Sequence, residues 1–338
     1  MHAIFAPPAR VPDAAAFERL VGPHRAGLQA HCYRMLGSAA DAEDALQDAL
    51  LRAWRGLPGF EGRSSLRSWL YSIATNASLK AIERRPKRVL PVDYGPPGDP
   101  HDTPEGPVVE PVWLEPYPDE TLADGLASPE ARYEQRESVE LAFIAALQHL
   151  PPRQRAVLLL RDVLGFAPAE IAAALDATPA SIYSTLQRAH AAVEERLPAR
   201  SQQATLRALG DERLREVVER YVTAWEAGDV AGIVALLTDD ATFAMPPRPS
   251  WYRGPAAIGR FLAAHPLARA EGWRHVPVRA NGQPALGVYL WDRGRARHVA
   301  HAIELLTLDG GGRIAGVMAF HEPAAAFARF GLPRELPS

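Results

Sequence analysis

Between Asp41 and Arg88 the apolar residues keep a helical spacing while the charge changes sign, so the stretch must fold as amphipathic helices with two unlike outer faces. In the first half Ser38 stands three residues before Asp41, the spacing of an N-terminal cap. Ala42, Ala45, Leu46, Ala49, Leu50, Ala53 and Trp54 then recur at helical intervals and predict a core-facing stripe. Opposite it lie Asp41, Glu43, Asp44, Gln47 and Asp48, an acidic surface suited to a basic partner. From Arg52 to Arg88 nine Lys and Arg stand against Glu61 and Glu83, a net +7, and such a block attracts phosphate. A second helix is expected after Ser64 or Ser65, with Leu66, Leu70, Ile73, Ala74 and Ala77 inward and Tyr71, Asn76, Lys80 and Arg84 outward. Trp69 fits either face. Aromatics interleaved with cations suit unstacked bases.

The whole chain has 338 residues, enough for two or three domains, and a formal net charge of −3. Wholesale polyanion binding is therefore excluded, and any nucleic-acid contact must come from local patches. A lone cysteine, Cys32, excludes an intrachain disulfide framework and fits a reducing cytoplasm. Residues 1–12 lack the basic start and apolar run of a signal peptide, and no stretch reaches about 18 uninterrupted apolar residues. The expectation is a cytoplasmic protein with no membrane contact. Phe17, Leu20, Val21, His24, Leu28, His31, Cys32 and Leu36 continue the helical pattern; His24, His31 and Cys32 are read as core rather than metal ligands, because no complementary CxxC or HxxxH pair accompanies them.

Residues 89–130 carry ten acids, no Lys or Arg and ten prolines, the composition of an extended linker. Within it Val112, Trp113, Leu114, Pro116 and Tyr117 form an apolar cluster that an inert spacer does not need, so Trp113 and Tyr117 are expected to dock. From Arg136 to Leu197 the pattern is helical again. Pro168 to Leu175 reads as a short helix, Asp176-Ala177 as a turn, and Thr178 with Pro179 as the start of a longer helix whose Ile182, Leu186, Ala189 and Val193 face inward. That is a helix-turn-helix, which leaves Ala180, Ser181, Tyr183, Ser184, Gln187 and Arg188 for bases and phosphates.

After a polar junction at 198–212, amphipathic helices precede candidate strands at 241–245, 276–280, 287–291, 298–308 and 314–321, an α+β order. Trp251, Tyr252, Trp273, Trp291 and His301 are candidate pocket residues, with Asp240, His265, His275, His298 and His321 as further titratable groups. Strand alternation sets His301 and Ile303 on one face and Ala302 and Glu304 on the other.

Three stretches resemble known families. DAEDALQDALLRAW with GFEGRSSLRSWLYSIATNASLKAIERR resembles the second conserved region of bacterial sigma factors of the extracytoplasmic-function (ECF) group. LPPRQRAVLLLRDVLGFAPAEIAAALDATPASIYSTLQRA resembles their fourth region, with His190 where the family often has Arg. YVTAWEAGDVAGIVALLTDDATFAMPPRPSWYRGPAAIGRFL and LDGGGRIAGV resemble SnoaL-like domains of the nuclear-transport-factor-2-like cone fold.

The resemblance implies a multidomain chain: an all-α region-2 bundle at 14–88, an acidic linker at 89–135, an all-α region-4 helix-turn-helix at 136–197, the junction, and an α+β cone at 213–330. It implies a sigma factor that binds core RNA polymerase and directs initiation at promoter DNA, with no catalytic residue, metal or cofactor. Asp41, Glu43, Asp44, Gln47 and Asp48 would grip polymerase; Arg63, Ser64, Trp69, Tyr71, Asn76, Lys80 and Arg84 would hold the melted −10 strand; the exposed helix-turn-helix residues would read −35. The linker would thread toward the polymerase active-site cleft, and the cone would regulate through intramolecular contact with the sigma domains, with or without a small ligand. Two other readings fit the residues: SnoaL-type isomerase or cyclase activity in the cone, and a polymerase-independent helix-turn-helix regulator.

Overall fold

The computed structural model describes residues 13–108, 113–122, 137–268, 272–321 and 326–337. Its α-helices of five or more residues are α1 (Ala14–Val21), α2 (Arg25–Leu36), α3 (Ala39–Gly56), α4 (Leu66–Ile82), α5 (Leu141–Gln148), α6 (Pro152–Leu158), α7 (Pro168–Ala174), α8 (Pro179–Glu194), α9 (Gln202–Glu226), α10 (Val230–Val234) and α11 (Pro255–Ala264), and a single helical turn spans Pro91–Tyr94. The strands are β1 (Leu237–Ala244), β2 (Trp251–Arg253), β3 (Trp273–Ala280), β4 (Gln283–Asp292), β5 (Arg297–Leu308), β6 (Ile314–Phe320) and β7 (Glu335–Leu336). The chain divides into two compact units. One takes the residues up to Arg85 together with Leu150–Ala192; the other takes Pro86–His149 together with the residues from Val193. No helix among the described residues is long and apolar enough to cross a membrane.

In the first unit the caps fix the helix starts. Ser38 Oγ accepts from the Asp41 amide at 3.0 Å, and of the two serines before α4 it is Ser65 whose Oγ accepts from the Ser68 amide, also at 3.0 Å. Ala42, Ala45, Leu46, Ala49 and Ala53 of α3 are buried with Leu28, Cys32, Tyr33 and Met35 of α2 and Leu70, Ala74 and Ala77 of α4. His31 Nε2 lies 2.8 Å from Thr75 Oγ1, and burial pushes its pKa down to about 3 and the Cys32 thiol up to about 12, so both are core groups.

The region after Leu150 supplies the helix-turn-helix. Helix α6 continues through one widened turn, Leu159–Val163, where the Leu164 amide reaches back to Leu159 O at 3.1 Å. Gly165 leaves the helix at φ 73°, Pro168 opens α7, and Glu170 returns to the Ala167 amide at 2.9 Å. Asp176, at φ 48°, makes the turn, and Thr178 Oγ1 accepts from the Ser181 amide at the head of α8.

The second unit is a curved sheet in the order β2-β1-β6-β5-β4-β3, with β7 beside β5. The β1–β6 pair is parallel and the other pairs are antiparallel. Asn281 (φ 54°) and Gly282 (φ 68°) close the β3–β4 hairpin, the residue types that a two-residue turn with two positive φ angles demands. One face of the sheet carries the core, where Tyr221 and Trp225 of α9 and Phe261 of α11 meet Phe243, Val288, Ala302, Leu306 and Val317.

Sequence reasoning missed β2 and α11 and read 198–212 as a bare junction. Those residues instead start α9, which is interrupted at Gly210, with Gln202, Gln203 and Thr205 buried. The expected alternation along β5 also fails. A register shift between Val288 and Tyr289 pairs Tyr289 with Ala300 and Val288 with Ala302, leaving His301 as the extra residue. Its ring meets Trp273 of the core face at 5.4 Å, so His301 shares a face with Ala302.

Candidate nucleic-acid interface

On α3, Glu43, Asp44, Gln47 and Asp48 project to solvent along one side, with Asp48 held by Arg52 at 2.6 Å in an exposed pair. Asp41 departs from that surface. It lies one turn before Ala45 and so shares its core-facing side, where it is buried and ion-paired with the Arg85 guanidinium. Asp41 is therefore a structural residue of the bundle, not part of the acidic face.

Helix α4 splits its predicted set. Arg63, Ser64, Asn76, Lys80 and Arg84 are exposed. Trp69 is half-buried, its ring 4.9 Å from that of Phe60. Tyr71, expected outside, is 5% exposed. A Cβ at Gly27 of α2 would collide with the Tyr71 hydroxyl, so that glycine makes the room for it. The Tyr71 ring meets His31 at 5.5 Å and Phe166 at 5.7 Å.

Phe166 belongs to the turn before α7, and the contact is part of a larger one. The Arg67 guanidinium sits 4.5 Å over the Phe166 ring and 5.2 Å over Tyr71, and donates to Leu164 O at 2.8 Å. Ser68 Oγ donates to Glu170 Oε1 at 2.8 Å, and Asn76 Nδ2 reaches Ala174 O at 3.5 Å. Glu170 is held below the usual carboxylate range by the Ala167 amide first and the Ser68 hydroxyl second. At the neighbouring corner Arg155 is buried and donates to Met35 O, and burial lowers its pKa to about 10. Each cation–π contact contributes on the order of 1 kcal/mol and each bond from a charged donor about 2 kcal/mol. Sequence reasoning assigned no such role to Arg67, Ser68, Phe166 or Glu170; the signal available was Phe166, a large apolar residue left in a turn after Gly165.

Helix α8 is the opposite case. Ala180, Ser181, Tyr183, Ser184, Gln187 and Arg188 are all exposed, Tyr183 at 59%, while Ile182, Leu186 and Ala189 are buried beneath them. His190 Nε2 lies 2.6 Å from Asp162 Oδ2.

In the second unit the acidic linker is bound along the sheet. One arm runs past β2: the Gly98 amide donates to Trp251 O at 2.7 Å, Trp251 Nε1 to Gly95 O at 2.8 Å, and the Val108 amide to Pro247 O at 2.9 Å. The other arm meets the β3–β4 turn, where Asn281 Oδ1 accepts from the Tyr117 amide and its Nδ2 donates to Val139 O, both at 2.8 Å. Trp113 and Tyr117 are buried; the Trp113 ring lies 5.0 Å from Tyr94, and buried Arg88 donates to Trp113 O. Val112 of the expected docking cluster lies outside the described residues. Glu140, just before α5, takes the amides of Gln202 and Gln203 at the start of α9, and burial pushes its pKa up to about 7.

Of the candidate pocket residues, Tyr252, Trp273 and His301 lie on the core face. Trp251, which bonds the linker, and Trp291, packed on His298, do not. The core face also gathers Tyr221, Trp225, His275, Glu304 and His321. Burial drives Glu304 up to about 7, His275 down to about 4 and His321 down to about 3. For His275, desolvation outweighs Glu226, whose carboxylate lies 3.6 Å from Nδ1.

The chain matches the descriptions of Sigma-70 region 2 over residues 20–88, Sigma-70 region 4 over 140–193 and the SnoaL-like domain over 218–317. It is 44% identical over 319 residues to the ECF RNA polymerase sigma factor SigG of Mycobacterium tuberculosis, covering 93% of this chain and 83% of that one. It is 29% identical to SigJ of the same organism over 68% of this chain and 64% of that one. The crystal structure of Mycobacterium tuberculosis SigJ shares the fold, with a TM-score of 0.57 at 23% identity over 93% of this chain and 98% of that chain. The three domains in this order and the similarity to SigG along nearly the whole chain make it a member of the ECF RNA polymerase sigma factors.

Proposed function

We propose that this sigma factor grips core polymerase through Glu43, Asp44, Gln47 and Asp48, holds the melted −10 strand with Arg63, Ser64, Asn76, Lys80 and Arg84, and reads −35 with the exposed side of α8. In the free chain the segment Leu164–Ala174, a turn followed by α7, sheathes α4, and the C-terminal domain keeps the linker and α5 with it. The carrying observation is the Arg67 guanidinium stacked on Phe166 and bonded to Leu164 O, which commits the first turn of α4 to region 4. Melted DNA on α4 requires that contact to open. Cis regulation then works through the linker: Asn281 holds Tyr117 within it and Val139 just beyond its end, so loss of that one clamp releases both.

Run-off transcription with core polymerase on a genomic promoter library tests the reading. Asn281→Gly keeps the positive φ of the turn but removes both side-chain bonds. It should change promoter output several-fold relative to the full chain, as should truncation near Pro198. No transcript from any form would contradict the promoter assignments; equal output from all three would contradict regulation by the C-terminal domain.

The cone supports a second reading, a small-ligand site. Trp273 Nε1 is buried without a hydrogen-bond partner among the described residues, and beside it Tyr221 interacts with both Trp225 and Glu304 in a buried polar cluster, the kind of group that a polar ligand or water completes. A molecule with an acceptor atom for Trp273 Nε1 and a donor for Glu304 would complete it. A thermal-shift screen tests this: hits that vanish in Glu304→Leu support the site, and hits indifferent to that change contradict it.

A further inference from the structure

A cavity lies on the sheet face opposite the cone's core. It has a volume of about 340 Å³, within the range of small-molecule sites. Its floor is a row across three strands. Thr242 of β1 pairs with Gly316 of β6, which pairs with Thr307 of β5. The missing side chain at Gly316 makes the depression: a Cβ there would stand 3.3 Å from Thr242 Oγ1 and 3.6 Å from Thr307 Cβ. Met318 and Leu308 extend the floor, and Leu90, Val92 and Leu141 form an apolar wall.

Two charged residues line this space: Arg200, which is exposed and donates to Ala204 O at 2.9 Å, and Glu140. Glu140 is 3% exposed and lines the cavity while its two oxygens take the Gln202 and Gln203 amides. Each oxygen keeps a second lone pair, and desolvation has already made the carboxylate reluctant to ionise. A neutral donor, or an amine that restores the charge, would be welcome there.

The cavity is also where three connections of the chain meet. Leu90 and Val92 follow region 2, Glu140, Leu141 and Ala142 open region 4, and Pro198, Arg200 and Gln202 lead into the third domain.

We propose that this cavity binds a small, mainly apolar molecule whose single hydroxyl or amine donates to Glu140, and that the occupant fastens the start of α5 and the helical turn Pro91–Tyr94 after region 2 to the sheet. The site is separate from the cone's core face, and its existence does not depend on whether region 4 sheathes α4.

The test uses the full chain and 1-aminoanthracene, an apolar fluorophore with one amine. Saturable one-site binding is expected, weakened at least tenfold in Thr242→Phe and in Met318→Trp, two half-buried floor positions that the larger side chains would fill. Circular dichroism melts identify which variants remain folded. Hydrogen exchange of the unsubstituted chain, with and without probe, gives a readout that needs no variant: slowing is expected at residues 140–142 and 315–318. Unchanged affinity in a folded floor variant, no slowing at those segments, or loss of binding in Glu304→Gln alone would each overturn the proposal. Absence of saturable binding would overturn it as well.

Discussion

Helix α8 turns Tyr183, Gln187 and Arg188 to solvent, whereas α4 spends Arg67, Ser68 and Tyr71 on the turn that leads into α8's own domain. On the proposed assignment the two DNA-contacting helices are thus in different states within one folded unit: the side of α8 proposed to read −35 is open to solvent, while α4, proposed to hold −10 DNA, is partly covered by α8's own domain. With the contacts between them together contributing roughly 3 kcal/mol after solvent competition, the open form would hold below about 1% of the free chain. On that reading polymerase separates the two surfaces and supplies the difference.

The comparison breaks most visibly at α8. Gln187→Ala with Arg188→Ala removes two side chains with the donor geometry for base edges, each worth about 1–3 kcal/mol, so run-off output should fall by roughly 30-fold or more. Hydrogen exchange at α4 should not change. Phe166→Ala acts on the other side. Loss of the buried ring costs roughly 3 kcal/mol, exchange across residues 66–77 should rise by about 100-fold, and affinity for core polymerase should increase. If that variant melts early but leaves α4 protected, the sheath is not what Phe166 maintains.

The two units should also part company with pH. His31 of the first unit has a folded pKa of about 3, below its unfolded value, so its contribution is full above pH 6.5 and is lost as pH falls. Glu140 and Glu304 of the second unit have folded values of about 7, above the unfolded carboxylate, so their protonated forms favour the fold at low pH and stability is lost as pH rises through 7. Between pH 6.5 and 8 the second unit should lose about 1 kcal/mol, its two carboxyls outweighing the opposite contributions of His275 and His321, while the first changes little, and Glu304→Gln should remove most of that loss. The smallest expected effect separates Asp41 from its neighbours. Asp41→Asn should cost about 1 kcal/mol of stability, discounted because Arg85 is 40% exposed, and leave polymerase affinity unchanged. Asp44→Asn should do the reverse.

The difference between α8 and α4 also marks how much the residues alone could say. The helix-turn-helix was legible because its signals are local: Pro168, Asp176, Thr178 and Pro179 each fix backbone or cap geometry within a few positions. The inward and outward sides of α8 followed from periodicity. On α4 the same periodicity gave the angle of Tyr71 but not its partner, because Phe166 lies 95 residues away. The linker's composition announced an extended acidic segment. Its binding could not be read, since Gly98 and Val108 bond to backbone carbonyls of Trp251 and Pro247, groups every residue carries. His301 was grouped with Ile303 rather than Ala302 because one extra residue in a strand reverses alternation. The polar stretch at 202–205 looked like a solvated junction because its buried partner, Glu140, lies some 62 residues upstream.

The central claim is that α4 must shed region 4 before it can hold DNA. Ser68 and Glu170, whose side chains meet at 2.8 Å, give the place to test it: both replaced by cysteine and joined by a short reducible bis-methanethiosulfonate linker, with buried Cys32 inert. Run-off transcription with core polymerase should be abolished in the linked protein and restored by dithiothreitol. Full transcription from the linked form would contradict the account.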